Sequence, residues 1–431
     1  LVPAEEQPYE VPENWVWVRL ESVASWGSGG TPSRKHEEYY NGDILWIKTG
    51  ELNNGWIYDT EEKITDEGLK KSSAKLFPPY SVLIAMYGAT IGKVAILGVP
   101  ATTNQACACA VCNQSLLYMY LFYYCISQKN VFIEKGKGGA QPNISQIILK
   151  QHPIPLPPLS EQQRIVERIE ELFAKLDEAK ERLQEVADSF AVRKAAILHK
   201  AFSGELIGKQ VTELVPLENL VDLIKIGPFG SSLHESDYIE NGIPLVNPKH
   251  IVQQRIVPQS KISISDEKAE ELSSYKLKEN DIVLGRRGEM GRCAPISNRE
   301  ENWICGTGSM IIRLKKEYDA KLYSLILGSQ ATVTYLENSA VGSTLKNLNE
   351  KIVRKIPVPQ FSNEEQHEIV RLIDDLLARE RAAQQAVEQA LASIDLMKKS
   401  ILARAFRGEL GTNKASEASA LELLKQVLAE D

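Results

Sequence analysis

Two segments of the chain carry an unusually regular pattern of apolar and polar positions. Between Ile165 and Ile197, ten positions alternate steps of four and three residues, and nine of the ten are apolar. The same pattern returns between Ile369 and Ile401, again with nine apolar positions of ten. A seam this narrow, sustained over several heptads, is typical of a coiled coil. The pattern therefore predicts two long helices, and each seam finds a matching partner in the other helix.

The two helical segments are copies of one sequence. Glu161 aligns with Glu365 at an offset of 365 − 161 = 204, and the same offset pairs Lys194 with Lys398. The register continues through the closing sequences AFSGEL and AFRGEL, the second of which ends at Leu410. An ungapped register over this length indicates an internal repeat.

The sequence also signals where both helices begin and end. Ser160 with Gln163 and Ser362 with Glu365 predict capping boxes at the two starts. A glycine in the shared sequence GEL predicts the end of each helix. About 45 helical residues span roughly 65–70 Å. That length exceeds an ordinary globular helix and favours two helices packed together as a rod.

The segments between the helices repeat more faintly. Residues 41–46 match 241–246, and residues 82–88 match 282–288, both at an offset of 200. Short apolar runs such as VLIAMY and SMIIRL predict strands. Two further segments predict helices, namely 115–134 and 319–337. The fold class expected is α+β, with two pseudo-repeated, mixed α/β globules separated by the long helices.

This organisation divides the chain into five parts. The predicted parts are a first globule (1–157), a first long helix (158–206), a second globule (211–359), a second long helix (361–410) and a C-terminal tail (411–431) whose sequence ALELLKQVL predicts a short helix. In such a duplication the framework is shared and the loops diverge, and loops usually carry recognition.

Composition narrows the class of protein. The chain has 431 residues, of which 43% are hydrophobic and 25% charged, as in ordinary soluble proteins. Its net charge of −7 argues weakly against nucleic acid, but the helices and tail supply part of the acid. No apolar run approaches 18 residues, and six cysteines are few, so a reducing cytoplasm is expected. Cys107, Cys109 and Cys112 form a strand pattern without zinc spacing, and no metal site is expected.

Catalytic motifs were sought along the chain. Phe77 stands where the Asn/Asp-Pro-Pro-Tyr motif of amino-methyltransferases needs a polar acceptor. The segment from Gly88 to Lys93 is one residue short of a phosphate-binding loop. A pairing of a serine or cysteine with one of the scattered histidines stays open, although no residue favours it. We expect no catalysis by this chain alone.

Arginines suggest a nucleic-acid contact in the second globule. Arg286, Arg287, Arg292 and Arg299 are accompanied by one acid, Glu289. The first two directly follow an apolar strand, a position from which a guanidinium can contact guanine edges or phosphates. The alternative is a solvated charged turn. The matching place in the first globule is Tyr87, with Lys93 beyond it.

Other DNA-binding candidates lie in polar loops or directly after predicted strands. Asn104 and Gln105 offer amides of the kind that read adenine, although Asn104 could instead cap a turn. The remaining candidates are Gly30, Thr31, Ser33, Arg34, Lys35, Lys48, Thr49 and Gln141 in the first globule, and Ser231, Ser232, Asn247, Lys249, Ser343, Thr344 and Lys346 in the second. For the flexible loops, simple solvation is the alternative.

With these features the chain resembles the specificity subunit of a Type I restriction–modification system. The resemblance rests on the IPLPPLSEQQRI entry to the first long helix, the AFSGEL and AFRGEL exits, and the two-fold repeat. In the first globule it adds GSGGTPS, YYNGDILWIKTGEL, SVLIAMYGATIGKVAI and TNQA. In the second, CGTGSM replaces TNQA, so the roles of Asn104 and Gln105 do not carry over.

The resemblance implies a function and partners. It implies two target-recognition domains, each reading half of an interrupted double-stranded DNA site, and antiparallel helices that set the gap. It implies two methyltransferase subunits, which bind S-adenosylmethionine and methylate adenine N6, and a motor-endonuclease subunit. In that reading this chain binds no cofactor itself. Two rival hypotheses are a coiled-coil adaptor that binds proteins and an enzyme with a cryptic site.

Overall fold

The computed structural model describes residues 1–136, 143–229, 232–339 and 347–430. The chain divides into two compact units, Leu1–Gln184 with Gln389–Asp431, and Glu185–Glu388. Each unit contains one globule of mixed strands and helices, together with parts of two long helices. This confirms the predicted α+β class. Among the described residues, none of the helices combines the length and the apolar sequence that a membrane span requires.

In the first unit, short apolar runs bounded by turn residues form strands, as predicted. The strands are β1 (Val16–Arg19), β2 (Ala24–Ser28), β3 (Tyr40–Ile47), β4 (Trp56–Ile57), β5 (Lys63–Ile64), β6 (Val82–Ala85), β7 (Val94–Leu97), β8 (Thr102–Thr103), β9 (Cys107–Cys112) and β10 (Pro153–Leu156). The helices are α1 (Asp66–Lys70), α2 (Tyr118–Ser127), α3 (Lys129–Lys135), α4 (Gln146–Lys150) and the long helix α5 (Leu159–Phe202), which continues into the second unit.

Two sheets form the body of the first globule. One has the order β2-β9-β6-β7-β4, and the other has the order β5-β3-β8. Alternate residues of β6 enter different cores: Val82 and Ile84 pack with α2, whereas Leu83 and Ala85 pack with β3. This strand is therefore buried on both faces, which explains its continuous apolar sequence. Strands β3 and β8 run parallel, so their carboxyl ends lie at one edge.

The second unit repeats this plan. Its strands are β11 (Val215–Pro216), β12 (Val221–Ile226), β13 (Ile243–Val246), β14 (Ile251–Val252), β15 (Arg255–Ile256), β16 (Ser263–Ile264), β17 (Asp281–Gly285), β18 (Cys293–Pro295), β19 (Ile304–Cys305), β20 (Ser309–Leu314) and β21 (Pro357–Val358). Its helices are α6 (Asp266–Glu271), α7 (Ala320–Leu327), α8 (Gln330–Ser339), α9 (Glu350–Arg354) and the long helix α10 (Asn363–Ala405), and α11 (Ala420–Glu430) follows in the first unit. The sheets have the orders β12-β20-β17-β18 and β16-β13-β19.

Some helix boundaries differ from the sequence predictions. The segments 115–134 and 319–337 each form two helices, because the chain turns at Gln128 and at Gly328. The capping box at Ser362 is confirmed, since its backbone N–H donates to Glu365 at 2.8 Å and its hydroxyl accepts from the Glu365 N–H at 3.3 Å. The predicted box at Ser160 is wrong, because α5 already begins at Leu159, before Ser160. The Pro158 carbonyl accepts hydrogen bonds from the Glu161 and Gln162 N–H groups instead.

The long helices pack antiparallel along their seams. In the first unit, Lys398 donates to Asp177 at 2.5 Å and Lys180 lies 3.9 Å from Asp395, so positions rise on α5 as they fall on α10. The first two positions of each seam are buried, but Val186 and Met397, both predicted seam positions, are 39% and 51% exposed.

The two polar exceptions in the seams bind each other. Arg193 and Glu380 are the one non-apolar position in each predicted seam. Both lie in the second unit, where the Arg193 Nε donates to the two carboxylate oxygens of Glu380 at 3.2 and 3.0 Å. The Arg193 guanidinium also stacks on Phe190, 4.4 Å from the ring centroid. Polar pairs inside an otherwise apolar seam are a known means of fixing helix register.

Matching glutamines fasten each globule to the helix that follows it. Gln162 accepts a hydrogen bond from the Leu117 N–H at 2.9 Å and donates to the Ser115 carbonyl at 2.9 Å. Gln366 accepts from the Asp319 N–H at 2.8 Å and donates to the Glu317 carbonyl at 2.9 Å. Because both glutamines are fully buried, each orients the start of its helix on its own globule.

The predicted tail helix is confirmed as α11, and the tail packs on the first unit. Arg164 forms two hydrogen bonds with the Glu417 carboxylate, at 2.9 and 2.7 Å. The buried carboxylate of Glu161 accepts from Trp15 at 2.8 Å and from Asn413 at 2.9 Å. Burial raises the pKa of Glu161, and these hydrogen bonds oppose the rise. The tail is thus an integral part of the first unit.

Candidate nucleic-acid interface

Three candidate segments of the first globule, residues 29–35, 48–49 and 104–105, meet at one edge of the sheet. We call this group the first loop edge. Trp46 pairs with Thr102 across the parallel strands β3 and β8. The chain leaves these strands at Lys48 and at Asn104. The glycine-rich loop joins them, because the Gly30 N–H donates to the Thr103 carbonyl at 2.9 Å and Trp46 donates to the Gly30 carbonyl at 2.9 Å.

The glycines of this loop are required by close packing. A Cβ atom at Gly29 would lie 1.7 Å from the Thr103 carbonyl oxygen, and one at Gly30 would lie 2.2 Å from the Ser73 hydroxyl. Only glycine fits both positions, because the obstructing atoms include backbone. The loop is therefore held against β8, and the exposed residue Thr31 follows immediately after it.

Two candidate DNA-binding cations of the first loop edge, Arg34 and Lys48, form ion pairs with the same acid, Glu62. Glu62 lies 2.7 Å from Arg34 and 2.9 Å from Lys48. The hydrogen bond from Lys48, with a further contribution from Arg34, lowers the pKa of Glu62 and keeps it charged. Arg34 also stacks over Tyr40 at 4.3 Å. Both side chains are partly exposed and could exchange this carboxylate for a phosphate, whereas Ser33 and Lys35 are exposed and have no such acid beside them among the ion pairs of the described residues.

The amide candidates take part in local hydrogen bonds. Asn104 accepts from the Ala106 N–H at 3.1 Å, which is the turn-capping role considered as the alternative. The Thr31 hydroxyl donates to the side-chain oxygen of Gln105, and Gln105 is exposed. Their oxygens are thus engaged, and reading adenine would require the amide nitrogens or rearrangement. Thr49 is half-buried beside them.

A second group of candidates lies on the turn between β6 and β7. Tyr87 is 40% exposed and forms a backbone bridge with Asn143. Gly88 and Gly92, with φ of 64° and 74°, make the turn that leads to Lys93. Gln141 lies outside the described residues.

In the second globule the structure corrects the role expected for Arg286. Its side chain is 5% exposed, and its Nε donates to the Leu348 carbonyl at 3.1 Å. Burial, and then the neighbouring Arg287, lower the pKa of Arg286. The reason is alternation along β17: residue 286 points to the same buried face as Ile282 and Leu284. Arg286 therefore stabilises the buried side of this edge by binding the Leu348 carbonyl, and it is not exposed for contact with DNA.

Arg287 is the exposed arginine of this edge. It forms a backbone bridge with Asn347, as Tyr87 does with Asn143, so the two residues occupy matching positions. Arg292 is partly exposed and donates to the Pro248 carbonyl at 3.3 Å. Its guanidinium also donates a hydrogen bond to the carboxylate of Glu289, three residues earlier.

The remaining candidates of the second globule surround this edge. Asn247 is partly exposed and begins the turn after β13, while Lys249 and Ser232 are exposed. We call the group of Asn247, Lys249 and Arg287 the second loop edge. Four candidates lie outside the described residues, namely Ser231, Ser343, Thr344 and Lys346.

Strand register shows where the two edges differ. Ile47 pairs with Thr103 in the first globule, and Val246 pairs with Cys305 in the second. Gly306 and Thr307 therefore stand where Asn104 and Gln105 stand, which explains why the amides do not carry over. A Cβ atom at Gly306 would lie 2.1 Å from the Asn247 side-chain oxygen, so Asn247 fills that space.

Sequence reasoning missed Phe229. This side chain is 62% exposed and its ring centroid lies 6.0 Å from the Arg286 guanidinium. Ser28 and Ile226 occupy matching strand positions, which places Phe229 where the first globule has Thr31. The sequence did contain a signal for this residue. The two loops share a glycine, Gly29 and Gly227, but two residues later the first loop has the polar Thr31 and the second has the aromatic Phe229.

Cys107, Cys109 and Cys112 lie in β9, as the sequence predicted. Cys107 and Cys109 face the core between the sheets of the first globule. Burial raises the pKa of Cys109 and of Cys112 to about 12. These thiols therefore stay protonated at neutral pH, whereas metals bind the thiolate. Across the described residues, no group of three or more metal-ligating side chains comes together.

Comparison with known proteins gives one consistent result. The family model "Type I restriction modification DNA specificity domain" matches residues 12–188 and 218–389. The EcoKI specificity subunit of Escherichia coli K12 is 25% identical and aligns with 98% of this chain and 96% of its own length. The MjaIX specificity subunit of Methanocaldococcus jannaschii is 28% identical over 65% of this chain and 68% of its own. The HsdS subunit structure from Thermoanaerobacter tengcongensis has the same fold, with a TM-score of 0.64, 20% identity, and coverage of 94% of this chain and 99% of that one.

Proposed function

The chain belongs to the Type I restriction modification DNA specificity family, and from this premise we propose that its two globules each read one half of an interrupted double-stranded DNA site. The observation that carries the proposal is the pair of loop edges. They are built on one framework, but Asn104 and Gln105 in one correspond to Gly306 and Thr307 in the other. Two readers that share a scaffold and differ in side chains suit a site with two different halves.

Exposed and partly exposed groups provide both kinds of DNA contact. Arg287 can donate two hydrogen bonds to a guanine edge, and the amide of Gln105 matches adenine. Lys35, Lys93 and Lys249 are suited to phosphates, whose contacts position the protein without reading sequence. Arg34 and Lys48 can join them if phosphate replaces Glu62.

We propose that this chain selects the target and that its partners perform the chemistry. Two copies of a methyltransferase subunit would bind S-adenosylmethionine and methylate adenine at sites chosen by this chain, and a motor-endonuclease subunit would join them for restriction. The names of the relatives support this division, since each is called the specificity subunit of a restriction enzyme. We expect the methyltransferase subunits to bind to the long helices.

The test is to express the chain with a methyltransferase subunit from the same host and to map methylated adenines in host DNA. We expect a single bipartite motif with a fixed gap, absent from cells that lack this chain. The reconstituted complex should bind that motif in preference to scrambled DNA and lose affinity steeply as salt rises. If the complex forms but shows neither methylation nor sequence preference, the protein is an adaptor.

A further inference from the structure

Four aromatic rings form an exposed cluster on the first unit, away from the loop edge. Trp56 stacks on Tyr58 with 6.1 Å between ring centroids, and Tyr80 lies 5.0 Å from Tyr118. Trp56 joins the two pairs, at 6.2 Å from Tyr80 and 5.9 Å from Tyr118. Tyr58 is 63% exposed and Tyr80 56%. We call these four residues the aromatic patch.

The aromatic patch is remote from the residues assigned to DNA. Tyr80 precedes β6 and Tyr87 follows it, so seven residues of extended chain, roughly 23 Å, separate them. Trp56 lies on β4, the edge strand farthest from β2, whose end leads into the glycine-rich loop. The patch lies instead beside the start of α5. Trp56 and Tyr118 line a recess of about 270 Å³ together with Gln163, Val166 and Glu170, among others.

The second globule offers an internal comparison. Its residues at the positions of Trp56, Tyr58, Tyr80 and Tyr118 are Arg255, Val257, Asn280 and Ala320. The correspondence follows from matching elements: β4 and β15 both end in a buried isoleucine, and α2 and α7 begin at Tyr118 and Ala320. The shared framework therefore does not require the rings.

Tyr80 is held in a conformation that does not suit it. Its φ is 67°, and the matching Asn280 has φ 68°. Asparagine tolerates this left-handed region, whereas a bulky residue there is strained. Folding alone would favour asparagine or glycine at residue 80. Strain of this kind is usually retained for function.

The charge around the patch favours a cationic occupant. Glu170 is the one charged side chain among the described residues that line the recess, and no lysine or arginine lines it. Burial, then Tyr80, and then the charge of Glu170 raise the pKa of Tyr118, so Glu170 lies near that ring. Aromatic faces attract ammonium and guanidinium groups. A DNA phosphate would instead meet apolar rings and a carboxylate.

We propose that the aromatic patch is a docking site for an arginine- or lysine-bearing segment of a protein subunit that assembles with this chain, and that only the first globule carries it. The cation stacks on the rings of Trp56 and Tyr118 and faces the Glu170 carboxylate, while Tyr58 and Tyr80 cover the apolar stem of the side chain. This inference rests on the proposed function, which supplies the partner subunits.

The test places a photocrosslinking benzophenone amino acid at residue 58 of the full chain, assembled with its methyltransferase and motor-endonuclease subunits. The matched control carries it at residue 257, the corresponding exposed position of the second globule. We expect a strong crosslink from residue 58 to a peptide that contains lysine or arginine, and a much weaker one from residue 257. Equal yields, a crosslink to DNA, or a crosslink to a segment without a basic residue would overturn the proposal.

A second variant separates docking from folding. Tyr80→Asn places at residue 80 the side chain found at Asn280, so the variant should unfold at the same temperature as the wild type or a higher one. We expect the affinity of the crosslinked subunit to fall at least tenfold, measured by isothermal titration calorimetry, while Val257→Ala leaves it unchanged. Unchanged affinity in Tyr80→Asn would contradict the proposal. Failure of the wild-type chain to assemble at all would overturn the proposed function as well.

Discussion

Reversing the charge of Arg193 should destabilise the second unit by about 1–2 kcal/mol. The Arg193–Glu380 pair is partly exposed, 40% on the arginine and 26% on the glutamate, so the lost attraction is discounted to about 0.5–1 kcal/mol. A glutamate at 193 adds like-charge repulsion of about 1 kcal/mol near 4 Å in a watery environment. The contact of the guanidinium with Phe190 is lost as well.

The assay is urea unfolding of Arg193→Glu, Glu380→Arg and the double variant. The double variant restores opposite charges across the seam and should recover at least half of the loss, but not the Phe190 contact, because a glutamate then occupies position 193. The resulting double-mutant cycle isolates the coupling between the two residues.

Arg182→Glu is the matched control for this experiment. Arg182 pairs with Glu178 within α5, one turn away on the same helix, and both side chains are more than half exposed. Its reversal should cost less than about 0.5 kcal/mol. If Arg193→Glu costs no more than Arg182→Glu, or if the double variant recovers nothing, the pair does not fix the register of the helices.

Three further predictions concern other parts of the chain. His152 is buried, and its Nδ1 accepts a hydrogen bond from the Lys135 ammonium at 3.0 Å. Burial, then Lys135 and Arg19, lower the pKa of His152 to about 3. Because the unfolded chain binds a proton below about pH 6.5 and the folded chain does not, stability should fall as pH drops from there toward 3, by about 1.4 kcal/mol per pH unit. His152→Gln should remove most of that slope in urea unfolding at pH 6 and 5, and an unchanged slope would contradict it. Deleting one heptad at matching places in α5 and α10 should shorten each by about 10 Å and shorten the gap in the methylated motif by up to about three base pairs; an active variant with the wild-type gap would refute this. The highly purified chain alone, given S-adenosylmethionine or the cofactors of restriction, should neither methylate nor cut DNA, and activity in that preparation would show a cryptic site.

Periodicity was sufficient to predict the frame of this protein. Nine apolar positions of ten define each seam, and the offset of 204 shows the repeat, so the long helices and the duplication follow from sequence alone. The pairing of Arg193 with Glu380 could not be predicted, because it depends on how the two helices align. The Ser160 box failed because Pro158 supplies the first acceptor of α5.

The loop edges were only partly predictable. The sequence places Arg286 and Arg287 directly after a strand, and alternation along that strand already indicates that Arg286 points inward and Arg287 outward. The ion pairs of Arg34 and Lys48 with Glu62 join segments distant in sequence and emerge only from the tertiary structure. Phe229 was overlooked although the loop sequences already show an aromatic residue in place of a polar one, because only the structure shows that its ring is exposed.

The most direct test of the account is methylome sequencing of cells that express the partner subunits with wild-type chain, with Gln105→Ala, or with Arg287→Ala. The account predicts that each substitution relaxes base choice in one half of the motif, and that the two affect opposite halves. A lost base contact should cost about 1–3 kcal/mol at a single position. If both substitutions relax the same half, or if neither changes the motif, the assignment of one half-site to each globule is contradicted.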